Sequence, residues 1–129
     1  MTVTRRILLA TPDLMAGSQI AALARDAHAS LETLRSLDAS PAGGPYDLLL
    51  LDLQGIAGDP ALTVPRLRQI ATAGDAATSA PRPVLVAFGP HVAKQRLDAA
   101  RAAGADDAVS RGELLGAFGA LVRRWCEPG

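Results

Sequence analysis

Short apolar runs alternate along this chain with stretches whose apolar positions recur at helical spacing. Ile7-Leu8-Leu9-Ala10, Leu48 to Leu53 and Val84 to Phe88 are apolar nearly throughout, and only Asp52 interrupts the second. Runs of this length between turn residues read as strands buried on both faces. The first is entered from Arg5-Arg6 and ended by Pro12; a weaker strand is expected near Leu31 to Leu34, and a short one at Ala108-Val109-Ser110. Between them, Leu14, Ile20, Leu23, Ala24 and Ala27 mark a helix over 14–27. Pro65 suits the first turn of a second helix through Leu67, Ile70 and Ala71. A third is expected over 90–103, stopped by Gly104. Leu114, Leu115, Phe118, Leu121, Val122 and Trp125 form the apolar stripe of a last helix.

Strands alternating with helices imply right-handed crossovers and a parallel sheet covered on both faces. The expected fold is α/β: a flavodoxin-like, doubly wound, five-stranded parallel sheet in order 2-1-3-4-5, built in three layers. One crossover is too short. Only Ser36 to Ala42 separates the second strand from the turn at Gly43-Gly44, room for one or two helical turns. The helix there is expected to be stunted or missing, leaving an exposed apolar patch or edge strand. Gly74 to Pro83, rich in small residues and proline, reads as the most mobile loop. There is no internal repeat, and residues 1–129 read as one domain with no second domain attached.

Composition narrows the function. Apolar residues make up 49% of the 129 and charged residues 20%, as in an ordinary globular domain; aromatics are only 3%, so the core rests on Leu, Val, Ile and Ala. Thirteen basic and thirteen acidic residues cancel, which argues against nucleic acid or an anionic membrane as partner. No stretch is apolar for long enough to span a bilayer and no signal peptide opens the chain, so the cytoplasm is the expected compartment. Cys126 is the only cysteine and cannot form an intrachain disulfide; a lone cysteine of this kind is usually inert.

Asp52 is the residue with most to say about chemistry. It closes the third strand at its C-terminal end, the rim where open parallel α/β sheets place ligands and reaction sites. Three segments surround the expected rim: Arg6-Ile-Leu-Leu-Ala-Thr-Pro-Asp13-Leu14, Gly44-Pro-Tyr-Asp-Leu-Leu-Leu-Leu-Asp52-Leu-Gln54, and Ala100-Arg-Ala-Ala-Gly104-Ala-Asp-Asp107. In this order and spacing the chain resembles, over nearly its whole length, a receiver domain of two-component response regulators. The resemblance implies that Asp52 matches the aspartate that accepts a phosphoryl group from a histidine kinase. It also implies an acidic pair holding Mg²⁺, a Ser or Thr ending strand four, and a Lys-Pro after strand five. The matching positions here are Thr11 and Pro12, then Phe88, then Arg111-Gly112, with Gly55-Ile56 where a Met-Pro turn is frequent. Asp13 lies one position beyond the acidic pair; with Asp52 it would make a weak Mg²⁺ site at best, since Mg²⁺ demands an octahedral set of oxygens. Arginine keeps the lysine's charge but not its compact ammonium.

The resemblance is therefore to a degenerate receiver, or pseudo-receiver: not an enzyme, without cofactor, and acting through another protein independently of phosphorylation. The alternative is an active phosphoacceptor in a phosphorelay, using Asp52 and Mg²⁺. Arg111 could pair with Asp52 and mimic a fixed signalling state. Phe88 either fills the phosphate pocket or packs as ordinary core, because alternation cannot fix direction at a strand end. Lys94, Arg96 and Arg101, with Asp98, give the helix over 90–103 a mostly basic face; Arg123 joins them from the last helix. This is the expected interaction face, for a partner protein or for a homodimer through those two helices.

The remaining candidates have plainer readings. His91 is expected as a solvent-facing helix start and His28 as a surface or C-capping residue. Asp59-Pro60 should start a turn, and Asp106-Asp107 a solvated one. Gly112, Gly116 and Gly119 lack the Lys-Ser/Thr ending of a phosphate loop. No Asp-x-His-x-x-Gly motif suggests cobalamin, and no glycine-rich loop follows strand one.

Overall fold

Leucine and valine runs too apolar for a solvated edge need cover on both faces, and the computed structural model, which describes residues 4–72 and 82–126, supplies it. The elements in order are β1 (Arg6–Ala10), α1 (Leu14–Asp26), β2 (Ser30–Leu34), β3 (Leu48–Asp52), α2 (Pro60–Thr72), β4 (Val84–Gly89), α3 (Lys94–Ala102), β5 (Asp107–Ser110), α4 (Arg111–Gly116) and α5 (Phe118–Cys126). All strand pairs are parallel, and the sheet order is β2-β1-β3-β4-β5, the flavodoxin-like order. Among the described residues no helix is long and apolar enough to cross a membrane. Most of the segment 74–83, read as a mobile loop, lies outside the described residues.

Alternation along the strands sorts the core into two layers. Leu8, Leu49, Leu51, Leu85 and Ala87 pack under α2 and α3, through Val64, Leu67, Ile70, Leu97 and Ala100. Ile7, Leu9, Leu48, Leu50 and Val86 pack under α1, α4 and α5, through Ile20, Ala24, Leu114, Phe118 and Val122. All four leucines of β3 are fully buried, and each such burial contributes about 1.5–3 kcal/mol.

Several boundaries differ from expectation. α2 starts at Pro60, not Pro65, because Asp59 accepts the Ala61 amide as a cap and Pro60 occupies the first helical position. Pro65 is thus inside the helix. α3 starts at Lys94, after a turn in which the Ala93 amide donates to Pro90 O (2.9 Å). The last helix is two: Ala117, at φ −138° between Gly116 and Gly119, breaks it where helix propensity is weak.

α1 and α3 end alike. The Ala105 amide reaches back to Ala100 O and that of Gly104 to Arg101 O; Ala29 to Ala24 O and His28 to Arg25 O repeat the pattern. The left-handed position is Gly104 (φ 113°) in one and His28 (φ 58°) in the other, so His28 follows the C-cap, Ala27, and is exposed rather than being the cap itself. Only histidine carries a side-chain penalty there. His28→Gly is expected to stabilise the chain by about 0.5–1 kcal/mol, read from urea midpoints.

No helix forms between β2 and β3, as the short crossover requires. The expected bare apolar patch does not appear. Residues 35–47 cross the sheet face instead, with Tyr46 buried and Leu37 half-buried against the core. A polar latch holds this segment: the Tyr46 hydroxyl donates to Glu32 and accepts the Gly43 amide, and Glu32 accepts the Ala42 amide (2.7 Å). The Arg6 guanidinium lies 5.3 Å from the Tyr46 ring centroid and donates to Gly43 O (2.9 Å). A cavity of about 390 Å³ remains beside Arg66, Gln69 and Ile70.

Burial, then the Glu32 acceptor, pushes the Tyr46 phenol above its ordinary value. A raised folded-state pKa favours the neutral form, so this contribution is complete below about pH 10 and disappears as pH climbs through the folded-state value. Tyr46→Phe should therefore flatten the alkaline loss of stability; equal alkaline slopes for both chains would refute the latch.

Candidate functional site

β3 carries Asp52 to the C-terminal rim, in register with Phe88 of β4, on the face covered by α1, α4 and α5. Its carboxylate is only 2% exposed. The amides of Gln54 and Gly55 donate to Oδ1 at 3.0 and 3.1 Å, a tight turn closed by the Ile56 amide on Asp52 O. The Thr11 hydroxyl donates to Oδ2 at 2.7 Å and accepts the Asp13 amide at 3.1 Å. Thr11 itself is 1% exposed. Three donors thus converge on one buried carboxylate and tie the loop after β1 to the loop after β3.

Gly55 and Pro12 seal this pocket. A Cβ at position 55 would lie 2.6 Å from Asp52 Oδ2 and 2.8 Å from Pro12 Cδ. Neither neighbour can easily yield: the carboxylate is held by three hydrogen bonds and the proline is a ring. Gly55→Ala is expected to cost about 1–2 kcal/mol by overpacking, and an unchanged thermal midpoint would contradict this close approach.

The other site positions are occupied elsewhere. Asp13 caps α1: its Oδ1 accepts the amides of Met15 (2.9 Å) and Ala16 (3.2 Å). Its Oδ2 lies 3.8 Å from Arg111 Nη2. Arg111 therefore pairs with Asp13 and not with Asp52, a correction to the bidentate pair that its position suggested; Thr11 already holds Oδ2. Both side chains are partly exposed, so this ion pair is weak. Phe88, 1% exposed, packs with Ile20, Leu50 and Leu114 and is core.

The donors do not fit Mg²⁺. Pro12 has no side-chain ligand atom, the Thr11 hydroxyl is directed to Asp52, and the Asp13 carboxylate caps a helix beside a guanidinium. Among the described residues no three His, Cys, Asp or Glu side chains gather as a metal site would need.

Of the basic residues read as an interaction face, two are engaged inside the chain. Arg96 donates to Leu53 O (2.8 Å) and Gly58 O (3.3 Å); Arg101 donates to Ala108 O (2.6 Å) and lies near Asp98 and Asp107. Lys94 and Arg123 are exposed, as is His91. Asp106 and Asp107, read as a solvated turn, are structural: Asp106 accepts the Leu85 amide and Arg68, and Asp107 accepts the Trp125 indole N–H (3.0 Å). Burial pushes the Cys126 thiol up, disfavouring the reactive thiolate.

Sequence reasoning missed the Thr11–Asp52 bond and the Gly55 contact. The signal was present in both cases: a hydroxyl where a carboxylate is usual, and a glycine three residues after the aspartate.

The rim and sheet order define an α/β fold of the receiver type. No protein-family model matches the chain, and no curated protein matches it in sequence. Solved structures do match it in fold. A two-component response regulator from Clostridium difficile superposes with a TM-score of 0.72 at 17% identity, over 95% of both chains. The receiver domain of a Saccharomyces cerevisiae response regulator, solved with a histidine phosphotransfer protein, gives 0.72 at 14%, over 98% of this chain and 91% of that one. An atypical orphan response regulator described as having a phosphorylation-independent regulatory mechanism gives 0.65 at 16%, over 94% of both. The chain has the receiver fold.

Proposed function

We propose that this chain is a non-enzymatic signalling module of the cytoplasm, which works by binding another protein and does not use phosphorylation of Asp52. The observation that carries the reading is the closed pocket: a carboxylate 2% exposed, with both oxygens hydrogen-bonded within the chain. In-line attack on a phosphoryl donor needs a free oxygen lone pair and a cation between the reacting anions. Here Oδ2 keeps a second lone pair but is buried beneath Thr11, Pro12 and Gly55, where no phosphoryl donor can approach, and Thr11 and Pro12 stand where metal-binding carboxylates would be. The phosphorylation-independent neighbour gives the reading a precedent on the same fold, and the co-crystallised receiver gives one for protein binding. Incubation with phosphoramidate and Mg²⁺, followed by intact-mass measurement, tests it. The expected result is an unmodified chain; a phosphoryl adduct that Asp52→Asn abolishes would overturn the reading.

A further inference from the structure

Beside the Asp52 pocket, a cleft of about 360 Å³ opens between the loop after β3 and the loop before α3. Leu53, Gln54 and Gly58 form one wall, and Pro90, Ala93 and Arg96 the other. Arg96 stands in the first turn of α3, half-buried, and its bonds to Leu53 O and Gly58 O both come from Nη2. Among the described residues Nε and Nη1 make no hydrogen bond, so the guanidinium keeps single donors for a further acceptor although Nη2 is engaged. A charged guanidinium with Nη1 donors to spare is suited to a carboxylate held through a single charge-assisted hydrogen bond.

Two further observations concern the same cleft. No carboxylate lines it. The nearby exposed Asp59 accepts the Ala61 amide on Oδ1 and Asp98 lies 3.5 Å from Arg101, while Lys94, two residues before Arg96, is exposed. Close in sequence to its lining residues are two of the four large apolar side chains that the described residues leave to solvent. Val92, 79% exposed, stands between the lining residues Pro90 and Ala93; Leu62, 72% exposed, lies in the first turn of α2 just after the other wall. An internal clamp alone would account for the two Nη2 bonds but not for two large apolar side chains left to solvent beside the lining segments.

We propose that this cleft docks an acidic peptide segment of a partner protein, with a carboxylate on Arg96 and apolar side chains against Val92 and Leu62. The proposal rests on the protein-binding reading above and specifies where binding occurs and what it recognises. Charge complementarity selects the occupant: the lining carries one basic side chain, Arg96, and no acidic one, with the exposed Lys94 two residues before it.

The test is an amide NMR titration of the whole chain with two end-blocked decapeptides, one alternating Glu and Leu, the other Lys and Leu. The Glu-Leu peptide is expected to shift amides in 53–58 and 91–96, more weakly at high salt; the Lys-Leu peptide is not. Arg96→Gln should weaken binding about tenfold, as loss of an arginine anchor does. Because that change also frees Leu53 O and Gly58 O, Val92→Ser and Lys94→Gln supply independent variants that leave those bonds in place, each expected to weaken binding roughly twofold to fivefold. Unmoved amides in both segments, equal shifts with the Lys-Leu peptide, or full binding by both surface variants would overturn the proposal. Failure here is distinguishable from failure of the phosphorylation-independent reading, which is scored by the mass of the chain after phosphoramidate treatment.

Discussion

Phe88→Thr, which places a hydroxyl where receivers carry one, is expected to lower the unfolding free energy by about 3 kcal/mol and to produce no phosphorylation site. The ring is 1% exposed among Ile20, Leu50 and Leu114. Truncating a buried aromatic removes its transfer energy and leaves a cavity, which costs about 3–5 kcal/mol for Phe→Ala; threonine keeps one methyl but buries a hydroxyl. The chemistry stays absent because the residues around Asp52 are unchanged: Thr11 still holds its Oδ2, and Pro12 still stands where a metal ligand would be. Urea denaturation measures the first half of the expectation and phosphoramidate uptake the second. A loss below about 1 kcal/mol would mean that α1, α4 and α5 do not pack on the ring as described.

The second large effect separates the carboxylate's charge from its hydrogen bonds. Asp52→Ala leaves two amides and a hydroxyl without their acceptor in a sealed pocket, and is expected to cost about 2–4 kcal/mol. Asp52→Asn is expected to cost less, about 1 kcal/mol, since only the Thr11 hydroxyl proton loses its acceptor. Its carboxamide oxygen can accept the Gln54 and Gly55 amides, and its NH₂ can donate to Thr11 Oγ1, which has a second lone pair beside the one that takes the Asp13 amide. Comparable losses for both variants would contradict a pocket built on hydrogen-bond satisfaction. The same pair separates modes of action, since a module that does not need phosphorylation keeps its partner binding as Asp52→Asn.

Much of this fold was legible because its strongest signals are also its largest energies. The apolar runs at 7–10, 48–53 and 84–88 could be little else than buried strands, and Gly104 marked the end of α3. The missing second helix followed from counting residues. Its replacement did not, because the Glu32–Tyr46–Arg6 latch joins groups far apart in sequence and leaves no periodic trace. The start of α2 was misplaced because Asp59-Pro60 reads as a turn and Pro65 as the start, although the former pair serves as a cap and first helical residue.

At the site, the altered positions were legible as identities but not as contacts. Thr11 and Asp52 could be named, yet their 2.7 Å bond depends on strand register that only the folded sheet fixes. Asp13 reads from the sequence only as a weak metal ligand; it stands one residue before Leu14 and caps α1 instead. Arg111 followed it, away from Asp52. Phe88 was ambiguous from sequence alone because a strand-end side chain can turn to either face; its pairing with Asp52 places it over the α1 side.

The central claim is that Asp52 is a closed structural carboxylate, not a phosphoacceptor, and an amide NMR titration of the chain with Mg²⁺ followed by beryllofluoride, a mimic of the aspartyl phosphate, tests it most directly. The account predicts a well-dispersed spectrum that neither addition moves. Saturable shifts clustered at Thr11, Asp13, Asp52, Phe88 and Arg111 would contradict it and identify a working receiver site.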